Sequence, residues 1–372
     1  MFCSTCGCEV AEGTAFCGNC GAPLDGGVST AANPSPSSPD DYSGASDIAT
    51  GTSSKKKKGK APLIILLIAL VVIAIAAVTI RLTMCTDHGM TPSEGSAEVG
   101  SVTSSGVSSE TSNAITPKDA VEAYTWSELS EISKEIGDAA DESAAIEVAK
   151  KYNLVTKDGK LDGTQTKTLT LTNGETATVQ IAGFSHDDKT SGGKAGITFV
   201  FKDCVEWHAM NPRSTNTGGW ENSSMRSYLA SDVMKLMPDD LKAVIVPVEK
   251  LTNNTGQANS VSSVTKTSDA LWLLSPVEVC GTISRYSGSD AIYNDIFNAE
   301  GSEYKLFHDM NVRPTELNAF LVKSFRGTSI PWWMRSPDPS RSDSFCDVYA
   351  DGNPSHRNVA SNLYGIAPGF CI

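Results

Sequence analysis

Residues 61–80 form a run of twenty without a single charge, and nothing else in this 372-residue chain constrains its architecture as strongly. Twenty helical residues are long enough to cross the hydrocarbon core of a bilayer. The run is rich in Ile, Leu and Val on all sides, which excludes an amphipathic helix lying on a membrane surface. Lys55, Lys56, Lys57, Lys58 and Lys60 stand ahead of it, and Arg81 alone follows. Flanking cations favour the cytoplasmic side, so the pattern predicts a single-pass cell-membrane protein with residues 1–60 inside and everything after the span (61–82) outside.

Two other readings account for the run less well. A cleaved signal peptide does not carry sixty residues ahead of its apolar core. Leu82-Thr83-Met84-Cys85 loosely fits a lipidation site, but Met84 stands where a small residue is wanted. On either side of the span, residues 25–60 and 83–116 are dominated by Gly, Ser, Thr, Ala and Pro. Such segments cannot bury enough apolar surface to fold, which predicts a disordered linker with a polybasic end and a flexible stalk. Residues 1–60 hold five Lys against six Asp and Glu, a balance of −1, which leaves −12 of the chain's −13 for residues 61–372. A field of that sign repels phosphate, so nucleic acid is excluded as a partner of the large domain.

The ten cysteines fall into separate populations. Cys3, Cys6, Cys17 and Cys20 form two C-x-x-C pairs, each followed by glycine. Such pairs bend the backbone until both thiolates face one point, with glycine supplying the positive φ of the turn. Four thiolates complete a tetrahedral shell around a structural Zn²⁺ and leave no open position for catalysis. So short a segment has almost no core, so zinc would supply most of the folding energy of residues 1–24. Cys8 lies outside the pattern and reads as a bystander. These residues resemble the short zinc-ribbon family found at the N-termini of many bacterial membrane proteins. The resemblance covers residues 2–23 and implies zinc and a cytoplasmic protein contact, but no reaction.

Beyond the stalk, apolar residues at spacings of three and four (Trp126, Leu129, Ile132, Ile136) predict an amphipathic helix broken at Gly137, and Ala144 to Tyr152 a second one. Trp126 reads as a core anchor of this helical segment, 117–164. Alternation on both sides of Asn173-Gly174 predicts a hairpin with a type I′ turn. Further strands are expected over 195–202, 243–251, 270–274, 331–335, 345–349 and 365–372, with a helix over 223–236. The fold class is α+β.

Trp220, Ser223, Arg226 and Leu229 fit a W-x-x-S-x-x-R-x-x-L pattern. Together with residues 271–278 (LWLLSPVE), 332–337 (WWMRSP) and 365–370 (GIAPGF), it resembles a bacterial domain family of unknown function over about 165–372. Ala367 replaces the arginine usual in the last motif. The order of motifs also resembles the formylglycine-generating-enzyme and C-type-lectin-like fold. That likeness implies that Trp220, Trp332, Trp333 and Arg335 are buried structural residues. It also makes the strands holding Cys346 and Cys371 neighbours, which would pair those two cysteines and leave Cys204 for Cys280. Sequence alone does not choose among the three possible pairings. Scattered cysteines suit disulfides in an oxidising compartment, consistent with an outer domain.

No catalytic pattern stands out. His186-Asp187-Asp188 reads as a polar turn, and His208, His308 and His356 are solitary in the sequence. Copper-dependent oxidation would need two nearby cysteines, and the setting of Cys346 and Cys371 does not match that motif. Calcium-dependent sugar binding would draw on Asp338, Asp343, Asp347, Asp351 and Asn353, but the flanking lectin patterns are absent. The sequence therefore predicts an extracellular binding domain for a protein or glycan. The alternative is a cell-surface enzyme, oxidative or hydrolytic, with a site built from loops.

Overall fold

The computed structural model describes residues 115–372. The zinc ribbon with Cys3, Cys6, Cys17 and Cys20, the linker and the span all lie outside the described residues, as does the stalk up to residue 114. Among the described residues no helix is long and apolar enough to cross a membrane.

Thr125 starts the first helix, α1 (Trp126–Gly137), with a capping box: its side chain accepts from the Glu128 N–H and Glu128 accepts in return from the Thr125 N–H. The helix buries Trp126, Leu129, Ile132 and Ile136 at the expected three- and four-residue spacing, and Ser133 beside them. Asp141 caps α2 (Glu142–Lys151). The hairpin follows as β1 (Thr166–Thr170) and β2 (Thr176–Phe184). Its turn differs from expectation. Gly174 has φ +85° but Asn173 is not left-handed, and Leu171 pairs with Glu175 across a three-residue loop. A type I′ turn needs positive φ at both central residues, so this loop relies on glycine alone.

β3 (Ile197–Phe201) is buried along its whole length, because α1 covers one side of it and the core the other. Trp126 stands edge-on to Phe199 and Phe370, with ring centres 5.4 and 6.0 Å apart. The sequence's helix over 223–236 is continuous, but its middle, Leu229–Val233, widens to a π-helical turn. β4 (Glu206–His208), β5 (Val248–Asn253) and β6 (Val264–Asp269) follow, with β5 and β6 pairing as a separate ribbon. Residues 270–274, expected to be a strand, bend at 270–271 and make a single bridge, Trp272 to Gly369.

Three short helices, Pro276–Cys280, Ile292–Asn298 and Lys305–Asp309, and the small ribbon β7 (Ser324–Phe325) and β8 (Thr328–Ser329) lead into the last strands. These are β9 (Trp332–Pro337), β10 (Ser344–Val348), β11 (His356–Val359), β12 (Tyr364–Ile366) and β13 (Gly369–Cys371). The expected terminal strand is thus divided at Ala367-Pro368, and its halves serve different sheets. One sheet runs β1-β2-β3-β13 and is wholly antiparallel; the other runs β11-β10-β9-β12-β4 with β12 parallel to β9. The helices of 117–164 and the strands of both sheets contribute to one hydrophobic core. The class is α+β.

Candidate functional site

β9 carries Arg335 into the centre of the core, where it is fully buried. Its guanidinium donates to both carboxylate oxygens of Glu278, to Thr252 Oγ1 at 2.8 Å, and to the carbonyls of Leu251, Leu273 and Glu300. Glu278 is placed by its own helix start, where Ser275 and Glu278 form a second capping box with Pro276 at the first position. Lys250, on β5, lies 2.5 Å from Glu278 and 2.7 Å from Asp187, with its ammonium 4.7 Å from the centre of the Trp272 ring. Asp187 also accepts from Tyr304 at 2.9 Å and from Thr198 at 2.8 Å. The charges alternate along Asp187, Lys250, Glu278 and Arg335, so the chain of four is neutral. Removing one member of such a buried set leaves its neighbour uncompensated, which costs about 3–5 kcal/mol.

Burial opposes ionisation of Asp187 and Glu278. The adjacent cations outweigh it, and both carboxyls are held below their ordinary values, Asp187 well below. Glu300 behaves differently. Its oxygens accept from the Asn253 N–H and the Ser336 hydroxyl, but burial dominates and pushes it up to about 7.

This network corrects the sequence reading of His186-Asp187-Asp188 as a polar turn. Only Asp188 is a surface group, paired with Lys194 at 2.8 Å. Asp187 is buried, and the His186 ring lies against Tyr304 with centres 4.1 Å apart. The motifs in the sequence turn out to be partners of one another: Glu278 belongs to the second, Arg335 and Ser336 to the third. The first motif is tied instead to β6. Ser223 caps its helix, while Trp220 and Arg226 both donate to Asp269, at 3.2 and 2.6 Å. Trp220, Trp332, Trp333 and Arg335 are all fully buried, as expected.

The cysteine pairing is also corrected. Cys204, Cys280, Cys346 and Cys371 are four buried free thiols. Cys346 lies on β10 and Cys371 on β13, in different sheets, and Cys371 is instead engaged with the Thr198 hydroxyl at 3.2 Å. Burial pushes all four thiols up, Cys204 and Cys280 to about 12, so none is a ready nucleophile.

The acidic residues weighed as calcium ligands do not converge. Asp338 is tied to Arg357 at 2.7 Å and to Ser340, Asp343 to Ser344, and Asp351 to the N–H of Asn353. Among the described residues no three His, Cys, Asp or Glu side chains gather as a metal site. Asp347 stands apart. It sits opposite Trp333 on β9 and His356 on β11, and residues paired in this way project from one face of a sheet. On that face Tyr349 stacks on His356 (4.7 Å), and Tyr364 packs against Trp333 (4.7 Å). Asn358 donates to Asp347 Oδ1 at 3.4 Å and Asn362 to Asn358. Asp347 Oδ2 is buried with no partner among the described residues, and burial pushes the carboxyl up to about 7. Tyr349 remains 42% exposed above it. The sequence had singled out Asp347, but with the wrong neighbours: the amides and rings around it come from strands and turns that only the sheet order brings together. His208 is stacked on Tyr228, and His308 projects into solvent.

The described chain is thus an α+β domain with a buried ion network and an aromatic, amide-rich sheet face. Residues 195–372 match the model of a family described as Domain of unknown function (DUF6273). No curated protein and no solved structure matches the chain. The match begins at 195, later than the resemblance over about 165–372 implied. The hairpin and Asp187 therefore fall outside it, although they complete its sheet and its ion network.

Proposed function

We propose that this is a single-pass membrane protein whose outer domain binds a glycan. The observation that supports binding is the sheet face above Asp347. Exposed Tyr349 stacks on half-buried His356, the residue paired with Asp347, whose second carboxylate oxygen has no partner among the described residues, and Asn358 and Asn362 stand beside it. A buried acceptor without a donor carries a desolvation cost that an incoming hydroxyl would relieve. Aromatic rings offer an apolar face to the C–H side of a sugar, while amides and a carboxylate take its hydroxyls. This chemistry favours a glycan over a protein as the extracellular ligand, and it needs no calcium. The topology rests on the apolar run and its lysines, and the C-type-lectin-like relationship rests on the order of motifs. In the same reading Cys3, Cys6, Cys17 and Cys20 hold a structural zinc on the cytoplasmic side, available for a protein contact.

Glycan-array screening of the full chain in detergent, followed by calorimetry on the best hit, tests the reading. Binding is expected, weakened at least tenfold by Tyr349→Ala, which alters an exposed ring and leaves the fold intact. An array without hits, or a hit that Tyr349→Ala binds as tightly as the parent, would reject it.

A further inference from the structure

The ion network has an outlet at the end of β2. There His186 separates Asp187 from a cleft of about 560 Å³ lined in part by Glu142, Ser302, Glu303 and Asp309. The imidazole packs against Tyr304 with its plane tilted by 36°, and its two nitrogens face different groups. Nδ1 is buried, 3.6 Å from Asp187 Oδ1, with no hydrogen-bond partner among the described residues. Nε2 lies 3.0 Å from the hydroxyl of Ser302, an exposed residue on the loop before the Lys305–Asp309 helix. Hydroxyl, imidazole and buried carboxylate therefore succeed one another from the cleft into the core, although Ser302 is 116 residues from His186 in sequence.

We propose that Ser302 is a nucleophile, His186 its general base and Asp187 the residue that positions the base, in a site that hydrolyses small neutral or cationic carboxylic esters. Such a constellation is recognised by geometry and role and recurs on unrelated folds. Asp187 suits its role because Lys250, Thr198 and Tyr304 keep it anionic and fixed, so an imidazolium formed during reaction meets a charge already in place. The 3.6 Å separation is of the looser kind that tightens once the ring is charged and Nδ1–H becomes a stronger donor. The ester preference follows from the cleft. Glu142 and Glu303 line it, and Asp309 is paired with Lys305 at 3.0 Å, so anionic substrates are repelled.

In the reaction, Ser302 Oγ forms a bond to the ester carbonyl carbon as its proton passes to His186 Nε2. The tetrahedral adduct collapses by breaking the bond to the alkoxy oxygen, and the imidazolium returns that proton to the departing alcohol. A water molecule then attacks the acyl-serine, giving its proton to Nε2. The second adduct breaks its bond to Ser302 Oγ, which takes the proton back from Nε2, and the carboxylic acid leaves. The net change is ester plus water to acid plus alcohol.

The test combines a fluorophosphonate probe with p-nitrophenyl acetate hydrolysis, both on the full chain. Mass spectrometry should find the probe on the peptide containing Ser302. Ser302→Ala should abolish that label, and both it and His186→Gln should slow hydrolysis by about a hundredfold or more. Circular dichroism should show both variants folded, and Ser302→Ala should leave glycan binding unchanged. Asp187→Asn, in folded protein, should lower kcat for p-nitrophenyl acetate while leaving KM little changed. An unmodified Ser302 or an undiminished rate in Ser302→Ala would show that the Ser302–His186 bond only tethers a loop, and would overturn the proposal. An unchanged kcat in folded Asp187→Asn would remove Asp187 from it.

Discussion

Two acids in this domain, Glu300 and Asp347, are held near pH 7 by burial, but for different ends. Glu300 is hydrogen-bonded on both oxygens and sits behind Arg335 as part of the core. Asp347 keeps one oxygen without a partner and has only Asn358 to lower its pKa. In the unfolded chain Asp347 titrates near its ordinary value, so between about pH 4 and pH 7 the unfolded state is ionised there while the folded state still holds the proton. Raising the pH through that window therefore favours unfolding, by on the order of a few kcal/mol from this one group, and above it the loss is complete. Asp347→Asn should flatten that part of the stability profile and make the protein more stable than the parent at pH 8. Urea unfolding at pH 5 and pH 8 measures both. A parent and variant with parallel pH profiles would show that Asp347 is ordinary. The fate of such residues was partly legible. The burial of Trp220, Trp332, Trp333 and Arg335 followed from their motifs. The burial of Asp187 did not, because an acid between a histidine and another acid has the composition of a solvated turn.

At the scale of elements, the seating of α1 on β3 shows how tightly the fold is specified. A Cβ built on Gly196 would lie 1.8 Å from the carbonyl oxygen of Ser133 in the helix, so only glycine lets the two backbones approach so closely. The Ser133 hydroxyl then accepts from the Ile197 N–H and donates to the carbonyl of Ile372, tying the helix to β3 and to the residue that follows β13. Gly196→Ala must push helix and sheet apart, and overpacking of this kind costs about 1–3 kcal/mol. A urea midpoint within error of the parent's would show the contact to be loose. The helix itself was legible, since its capping box and three-four spacing are local. So were the hairpin and the strands rich in Phe, Val and Trp. β6 was not, because Val264–Asp269 carries mostly polar, exposed side chains and becomes a strand by pairing with β5. The division of the terminal strand was also missed: a kink at Ala367-Pro368 sends its halves to separate sheets, and no short-range pattern distinguishes that from one strand.

For the whole molecule, the decisive departure is in the thiols. Alkylation of the native chain without reductant should leave Cys204, Cys280, Cys346 and Cys371 unmodified, and denaturation alone should expose all four as free thiols to mass-spectrometric mapping. A disulfide-linked peptide among them would contradict the structure. Free thiols also remove one support for an oxidising compartment, so the proposal that the domain lies outside rests on the apolar run and on Lys55 to Lys60. What the sequence determined by itself was whatever depends on neighbours along the chain: the helices of 117–164, the hairpin, and the apolar periods that mark a core. These are set by backbone geometry and side-chain spacing over a few residues. Only the tertiary structure decided which charges meet in that core, that four cysteines stay apart, and that Ser302 faces His186. Such groups are brought together by the path of the chain through two sheets, and their spacing in sequence carries no trace of it.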